Sequence, residues 1–160
     1  MRRIIPRTNV GALASRASLV AIADADQIVI GPGSLYTSVI PALKVSMLAD
    51  AVMGSIAQRV FVLNLVTQDG ETLGMTGLEH LEALAEHAGI FGPGIVVVHA
   101  GPLETPEGHD RLELAADEAA LHGWRVVLAD VADDKADWPA HDPLKLGRVL
   151  EGLATTGEPR

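Results

Sequence analysis

Asp26-Gln-Ile-Val-Ile-Gly-Pro-Gly-Ser-Leu-Tyr-Thr-Ser38 decides the fold. Gln27 to Ile30 is a short β-branched apolar run, and Gly31-Pro32-Gly33 ends it abruptly. Ser34 then stands at the start of a helical turn, with Thr37 and Ser38 adding hydroxyls and Tyr36 a flat ring. A strand that enters a glycine turn and then a helix start is a ready anion site. Glycine lets the backbone approach a ligand, and the free N–H groups with the helix dipole favour negative charge. The plainer reading is an ordinary strand-to-helix turn, because the string is neither of the standard dinucleotide or P-loop patterns.

Outward from this stretch, the same rhythm recurs. Apolar runs at Gln27–Ile30, Arg59–Leu63, Ile95–Val98 and Arg125–Ala129 follow one another at about thirty residues, with helical patterns between them. That is the βαβ unit, and it predicts an α/β fold: a Rossmann-like, doubly wound, mainly parallel sheet. Ile95–Val98 is continuously apolar, so that strand is expected to be covered on both faces.

The helices are read from periodicity and caps. Leu13–Asp24 forms the first, with Leu19, Ile22 and Ala23 on one face, and Leu35–Ile40 is a short turn ended by Pro41. Ser46 caps a helix from Met47 to about Gln58, with Leu48, Ala51, Val52 and Ile56 inward. Thr76-Gly-Leu-Glu79 is a capping box opening a helix that ends near Gly89, with Leu78, Leu81, Leu84 and Ala85 inward. Arg111–Leu121 and Pro143–Leu153 complete the set. Residues 1–13 and 155–160 are expected to be loosely ordered ends of a single domain spanning 1–160.

Composition excludes several classes. The 160 residues are one domain's worth, 48% hydrophobic but only 3% aromatic, so the core is aliphatic. A formal charge of −9 argues against nucleic acid and anionic membrane as partners. Cysteine is absent, which removes disulfides and thiolate metal sites. No apolar run approaches the ~18 residues needed to span a bilayer, and the start has no signal-peptide core, so a cytoplasmic location is expected.

Ligands of open parallel sheets bind beyond the carboxyl ends of the strands, where the polar segments of this chain fall. Asn64–Met75 is long for a βα connection, and length of that kind accompanies function. In it Asn64 and Gln68 offer amides for a base or sugar edge, and Thr67 and Thr72 offer hydroxyls for phosphate. Gly70 turns the loop, and Glu71 either accepts from a sugar hydroxyl, holds magnesium, or only caps the loop. His80 lies one turn into the next helix and is read as facing solvent, and His99 as a satisfied core histidine. His141 and Lys145 share a face of the last helix, where Lys145 is placed to reach an anion. Asp133, Asp134 and Asp137 read as a solvated acidic turn. No histidine pair has zinc-site spacing, and no catalytic residue is assigned.

Read as strings, three blocks resemble one family. Gly31-Pro-Gly-Ser-Leu-Tyr-Thr-Ser-Val-Ile-Pro41, Asn64-Leu-Val-Thr-Gln-Asp-Gly-Glu-Thr-Leu-Gly-Met-Thr76 with His80-Leu81, and His141-Asp-Pro-Leu-Lys-Leu146 are similar, in this order, to the YvcK-like branch of the CofD family. The resemblance implies a Rossmann-like fold and a non-enzymatic regulator of central carbon use and cell-wall synthesis that binds UDP-N-acetylglucosamine. The residues matching its motifs are Gly31, Gly33, Ser34, Tyr36, Thr37, Ser38, Asn64, Thr67, Gln68, Gly70, Glu71, Thr72, His141 and Lys145. The family's other branch implies a magnesium-dependent phospholactyl transferase acting on a deazaflavin precursor.

Departures accompany the match. The family's opening strand and glycine-rich phosphate loop have no counterpart here, so the chain reads as the C-terminal portion of a larger domain, its sheet incomplete on the N-terminal side. Ala42, Lys44, Met75 and Ala140 stand where the family usually has asparagine, an apolar residue, an aromatic and arginine. A third expectation is therefore a truncated remnant that self-associates through bare strand edges as a homo-oligomer.

Overall fold

Each of the four apolar runs becomes a strand. The computed structural model describes residues 13–155, so the readings of residues 1–12 and 156–160 as loose ends lie outside the described residues. β1 (Gln27–Ile30), β2 (Gln58–Val62), β3 (Gly94–His99) and β4 (Trp124–Ala129) form one sheet in that order, every neighbour pair parallel. The register sets Val29 opposite Val60 and Val60 opposite Ile95.

Because side chains alternate across a strand, each inner strand feeds two cores. Phe61, Val96 and Val98 point to one face, where they meet Leu35, Ile40, Val52, Leu81, Leu84 and Ala119. Val60, Val62, Ile95 and Val97 point to the other and meet Leu146 and Leu153. The continuously apolar strand is thus buried on both sides, as its composition requires.

The first core is covered by α2 (Ile40–Leu43), α3 (Leu48–Gly54), α4 (Gly77–Ala88) and α5 (Ala116–Leu121). A sheet built in sequence order by crossovers of one hand puts its connections on one face. The opposite face falls to α6 (Pro143–Thr155). Asp142 caps α6, its carboxylate accepting from the N–H groups of Leu144 at 2.8 Å and Lys145 at 2.9 Å. The far end of α6 is clasped to the start of the sheet. Gln27 Nε2 donates to the Leu150 carbonyl at 3.1 Å, and Gln58 Nε2 donates to that of Leu153 at 3.2 Å.

Several local expectations are overturned, each by a tertiary contact. Pro41 does not end its helix. It sits in the first turn of α2, where its missing N–H is no loss, and a π-helical turn over Leu35–Val39 leads into it. Ser46 does not cap α3: its carbonyl accepts from Ala14 N–H at 3.2 Å, and Met47, at φ 70, precedes the helix with no side-chain cap. α3 stops at Gly54 because Ser55 turns extended and ties to α1 (Arg16–Ala23), its hydroxyl donating to the Ile22 carbonyl at 3.1 Å. Ile56 is left 78% exposed, not inward. Arg111–Leu114 is extended, since Leu112 N–H donates to the Leu65 carbonyl at 3.0 Å and Arg111 bridges Val66. The capping box holds: Thr76 accepts from Glu79 N–H at 3.2 Å, and the Glu79 carboxylate accepts from Thr76 N–H at 2.8 Å.

Candidate anion-binding site at the carboxyl edge of the sheet

β1 runs into a turn that only glycine enters without strain. Gly31 adopts φ +77, and a Cβ there would lie 3.2 Å from the Val62 carbonyl oxygen. The chain then climbs over the sheet edge, and the Ser34 carbonyl accepts from the N–H groups of Ser38 at 3.0 Å and Val39 at 2.9 Å. Leu35, Tyr36 and Val39 anchor this turn in the core. Tyr36 is therefore 3% exposed, its ring centroid 5.8 Å from that of His87 on α4, and offers no flat face to a ligand. Thr37 and Ser38 stay exposed and Ser34 half-buried.

The Asn64–Met75 loop closes on this turn. Asn64 pairs with Gly33 in both directions: Gly33 N–H donates to its Oδ1 at 3.3 Å, and its Nδ2 donates to the Gly33 carbonyl at 3.1 Å. The same Nδ2 reaches Gln68 Oε1 at 3.4 Å. The Thr37 hydroxyl donates to Glu71 Oε1, while Glu71 Oε2 is covered and without a partner. Gly33, Ser34, Thr37, Asn64, Gln68 and Glu71 thus come together. Thr67 and Thr72 are fully buried, and each hydroxyl accepts a backbone N–H of the protein, Thr72 within the loop and Thr67 from the connection after β3. Thr72 Oγ1 accepts from Gln68 N–H at 2.8 Å, and Thr67 Oγ1 from Asp110 N–H at 2.8 Å. Gly70, at φ +73, is exposed at the bend.

The ends of β3 and β4 form a second cluster. His99 is the satisfied core histidine expected: Val131 N–H donates to its Nδ1 at 3.2 Å, and its Nε2 faces the Pro102 carbonyl at 3.2 Å. Lys145 Nζ donates to Asp130 at 3.0 Å, Asp134 at 2.8 Å and the Ala132 carbonyl at 2.8 Å. The two acids push the ammonium pKa up, and with the Ala132 carbonyl they occupy all three of its donors. The spacing of His141 and Lys145 was legible, but the acids that claim Lys145 are distant in sequence. Arg111, which sequence reading passed over, braces the rim by donating to the carbonyls of Gly101 at 2.9 Å and His99 at 3.2 Å.

His80 corrects an expectation. It is 1% exposed, not solvent-facing, with Nδ1 2.7 Å from the Thr76 carbonyl and Nε2 covered without a partner. Burial pushes the imidazoles of both His80 and His141 below the ordinary value of 6.5. A histidine kept neutral in the fold contributes stability in full above the unfolded value. Between 6.5 and its lowered native value the unfolded chain binds more protons, so stability rises with pH there and is lost as the pH falls through that window. Urea midpoints at pH 7.5 and 5.5 are expected to show the loss, and His80→Gln to reduce it.

The family model described as 2-phospho-L-lactate transferase CofD matches residues 2–132. A putative gluconeogenesis factor of Nostoc sp. is 42% identical, the match covering 84% of this chain and 31% of that protein. A putative gluconeogenesis factor of Mycobacterium tuberculosis (strain ATCC 25618 / H37Rv) is 41% identical over 88% of this chain and 40% of its own. The gluconeogenesis factor of Bacillus subtilis is 32% identical over 82% of this chain and 44% of its own. A crystal structure of a Bacillus halodurans protein superposes with TM-score 0.82 at 32% identity, covering 90% of this chain and 49% of that one. The chain therefore spans less than half the length of these relatives. With three motif blocks, four parallel strands and these matches in agreement, the chain belongs to the CofD family, on its gluconeogenesis-factor, YvcK-like branch.

Proposed function

We propose that the chain is part of a cytoplasmic regulator of central carbon metabolism and cell-wall synthesis that binds UDP-N-acetylglucosamine and performs no catalysis of its own. The observation that carries this reading is the Gly31–Ser38 turn, locked onto Asn64 at the carboxyl end of β1. The hydroxyls of Ser34 and Ser38 and the start of a helical turn suit a pyrophosphate there. Gln68 and Glu71, directly beside the turn, suit the amide and hydroxyl edges of a base or sugar.

Calorimetric titration with UDP-N-acetylglucosamine tests it, on the length of protein that intact-mass measurement of the native material establishes. Ser34→Asp sets a carboxylate against the pyrophosphate and is expected to weaken binding about 30-fold, a cost of about 2 kcal/mol. Unchanged affinity in that variant removes the anion site.

The family model's description supports a second reading, a phospholactyl transferase. Magnesium shared with a phosphate needs only one or two protein carboxylates, and Asp69 and Glu71 are those of the loop. No three His, Asp or Glu side chains gather into a metal cluster among the described residues. Turnover with magnesium, a guanylated phospholactate donor and a deazaflavin acceptor would establish this reading over the first.

A further inference from the structure

Beside the candidate site, on the same edge of the sheet, lies a groove of about 750 Å³ that the proposed function does not use. Its walls are the loops that follow β3 and β4, and prolines 102, 106 and 139 stiffen both. Five carboxylates line it, from Glu104, Glu107, Asp133, Asp134 and Asp137, and no lysine or arginine does. Lys145 pairs with Asp134, whereas Glu104, Glu107 and Asp137 make no ion pair among the described residues.

Trp138 is the second, independent feature. It lines the groove and is 48% exposed, although the only other tryptophan, Trp124, is 2% exposed. The His109 ring meets it edge-on at 5.0 Å and 85°, which fixes the indole in place. A half-exposed, pre-positioned indole in a groove lined by carboxylates, three of them without an ion pair among the described residues, suits a flat, weakly hydrated cation that stacks and is then neutralised. No three of these carboxylates gather into a metal cluster among the described residues, and the flat face of the indole suits an organic cation.

We propose that this groove docks an extended, arginine-containing segment of a partner protein, with a guanidinium stacked on Trp138 and neighbouring arginines facing Glu104, Glu107 and Asp137. Charge complementarity selects the occupant, and the stiff loops lower the cost of ordering it.

A fluorescently labelled (Arg-Gly-Ser)3 peptide is the probe, its anisotropy titrated against the full chain at physiological salt. Trp138→Ala and the triple variant Glu104→Gln, Glu107→Gln, Asp137→Asn are expected to weaken binding at least tenfold. A control triple of equal charge change on exposed helix positions, Glu82→Gln, Glu86→Gln, Glu151→Gln, is expected to leave it within twofold. All of these residues except Trp138 are exposed carboxylates, and Trp138 lies outside both hydrophobic cores. Circular dichroism identical to the parent confirms that each variant folds. Absence of binding, or equal losses in the two triples, overturns the groove, since the net charge of −9 alone then accounts for the attraction. Displacement of the peptide by equimolar spermine overturns the peptide as occupant.

Discussion

Gly77→Ala is expected to destabilise the chain by about 3 kcal/mol, although glycine to alanine within a helix ordinarily stabilises by up to about 1 kcal/mol. The reversal of sign comes from one contact. Gly77 is the first residue of α4, pressed against the extended Arg111–Leu114 segment. A Cβ there would stand 2.4 Å from the Glu113 carbonyl oxygen and 3.0 Å from Leu114 Cβ. Neither neighbour yields cheaply. Leu114 is buried, and the next residues up the segment are pinned to the loop by the Leu112-to-Leu65 hydrogen bond. Either α4 lifts off the sheet, loosening Leu81 and Leu84 in the first core, or the segment breaks its pairing. Urea denaturation monitored at Trp124 measures the change. A midpoint unchanged or raised, with the slope preserved, would show that the helix start has room to move.

Asn64→Asp is the nearly isosteric change with the largest expected effect on ligand binding, a loss of about 100-fold. The carboxylate still accepts from Gly33 N–H. It no longer donates to the Gly33 carbonyl or to Gln68, and those acceptors face a like charge. The turn that cradles the anion is thereby released and the site gains a negative charge, so both effects act against a pyrophosphate. Calorimetry with UDP-N-acetylglucosamine reads the loss. Inorganic pyrophosphate separates the causes: if repulsion dominates it weakens as much as the full ligand, and if pairing dominates it weakens less. Affinity within threefold of the parent would falsify the role of Asn64 as the clamp of the turn.

The strands were legible because burial on two faces leaves an apolar run between polar punctuation, and such a run reads the same in any context. The capping box and the Gly89 cap were legible because both are local chemistry. Failures cluster where a distant residue intervenes. Nothing near Ser46 announces that its carbonyl serves Ala14, and nothing near Arg111 announces that Leu112 pairs with Leu65. The candidate site divides in the same way. The Gly31–Ser38 string identified the turn, but the clamp by Asn64 joins residues 31 positions apart. Thr67 and Thr72 had the composition of ligand-binding residues, yet both are buried and accept backbone N–H groups, Thr72 within its loop and Thr67 from distant Asp110. Side-chain type gave the candidates, and only the packing says which donors remain for a ligand.

The placement of α6 has a consequence for the chain as it is made. Each strand-to-strand connection roofs one side of the sheet as synthesis proceeds, while the side bearing Val60, Val62, Ile95 and Val97 waits for the segment that follows β4. From the moment β3 emerges until Pro143–Thr155 clears the ribosome, those four side chains lack Leu146 and Leu153 and meet only loop residues such as Leu65 and Val66 on that face. A nascent chain in that interval displays a flat, greasy surface of the kind that chaperones recognise and that drives misassembly. The glutamine clasp at the far end of α6 then acts as the final latch, and a ribosome that stalls before Leu153 leaves the molecule unlatched.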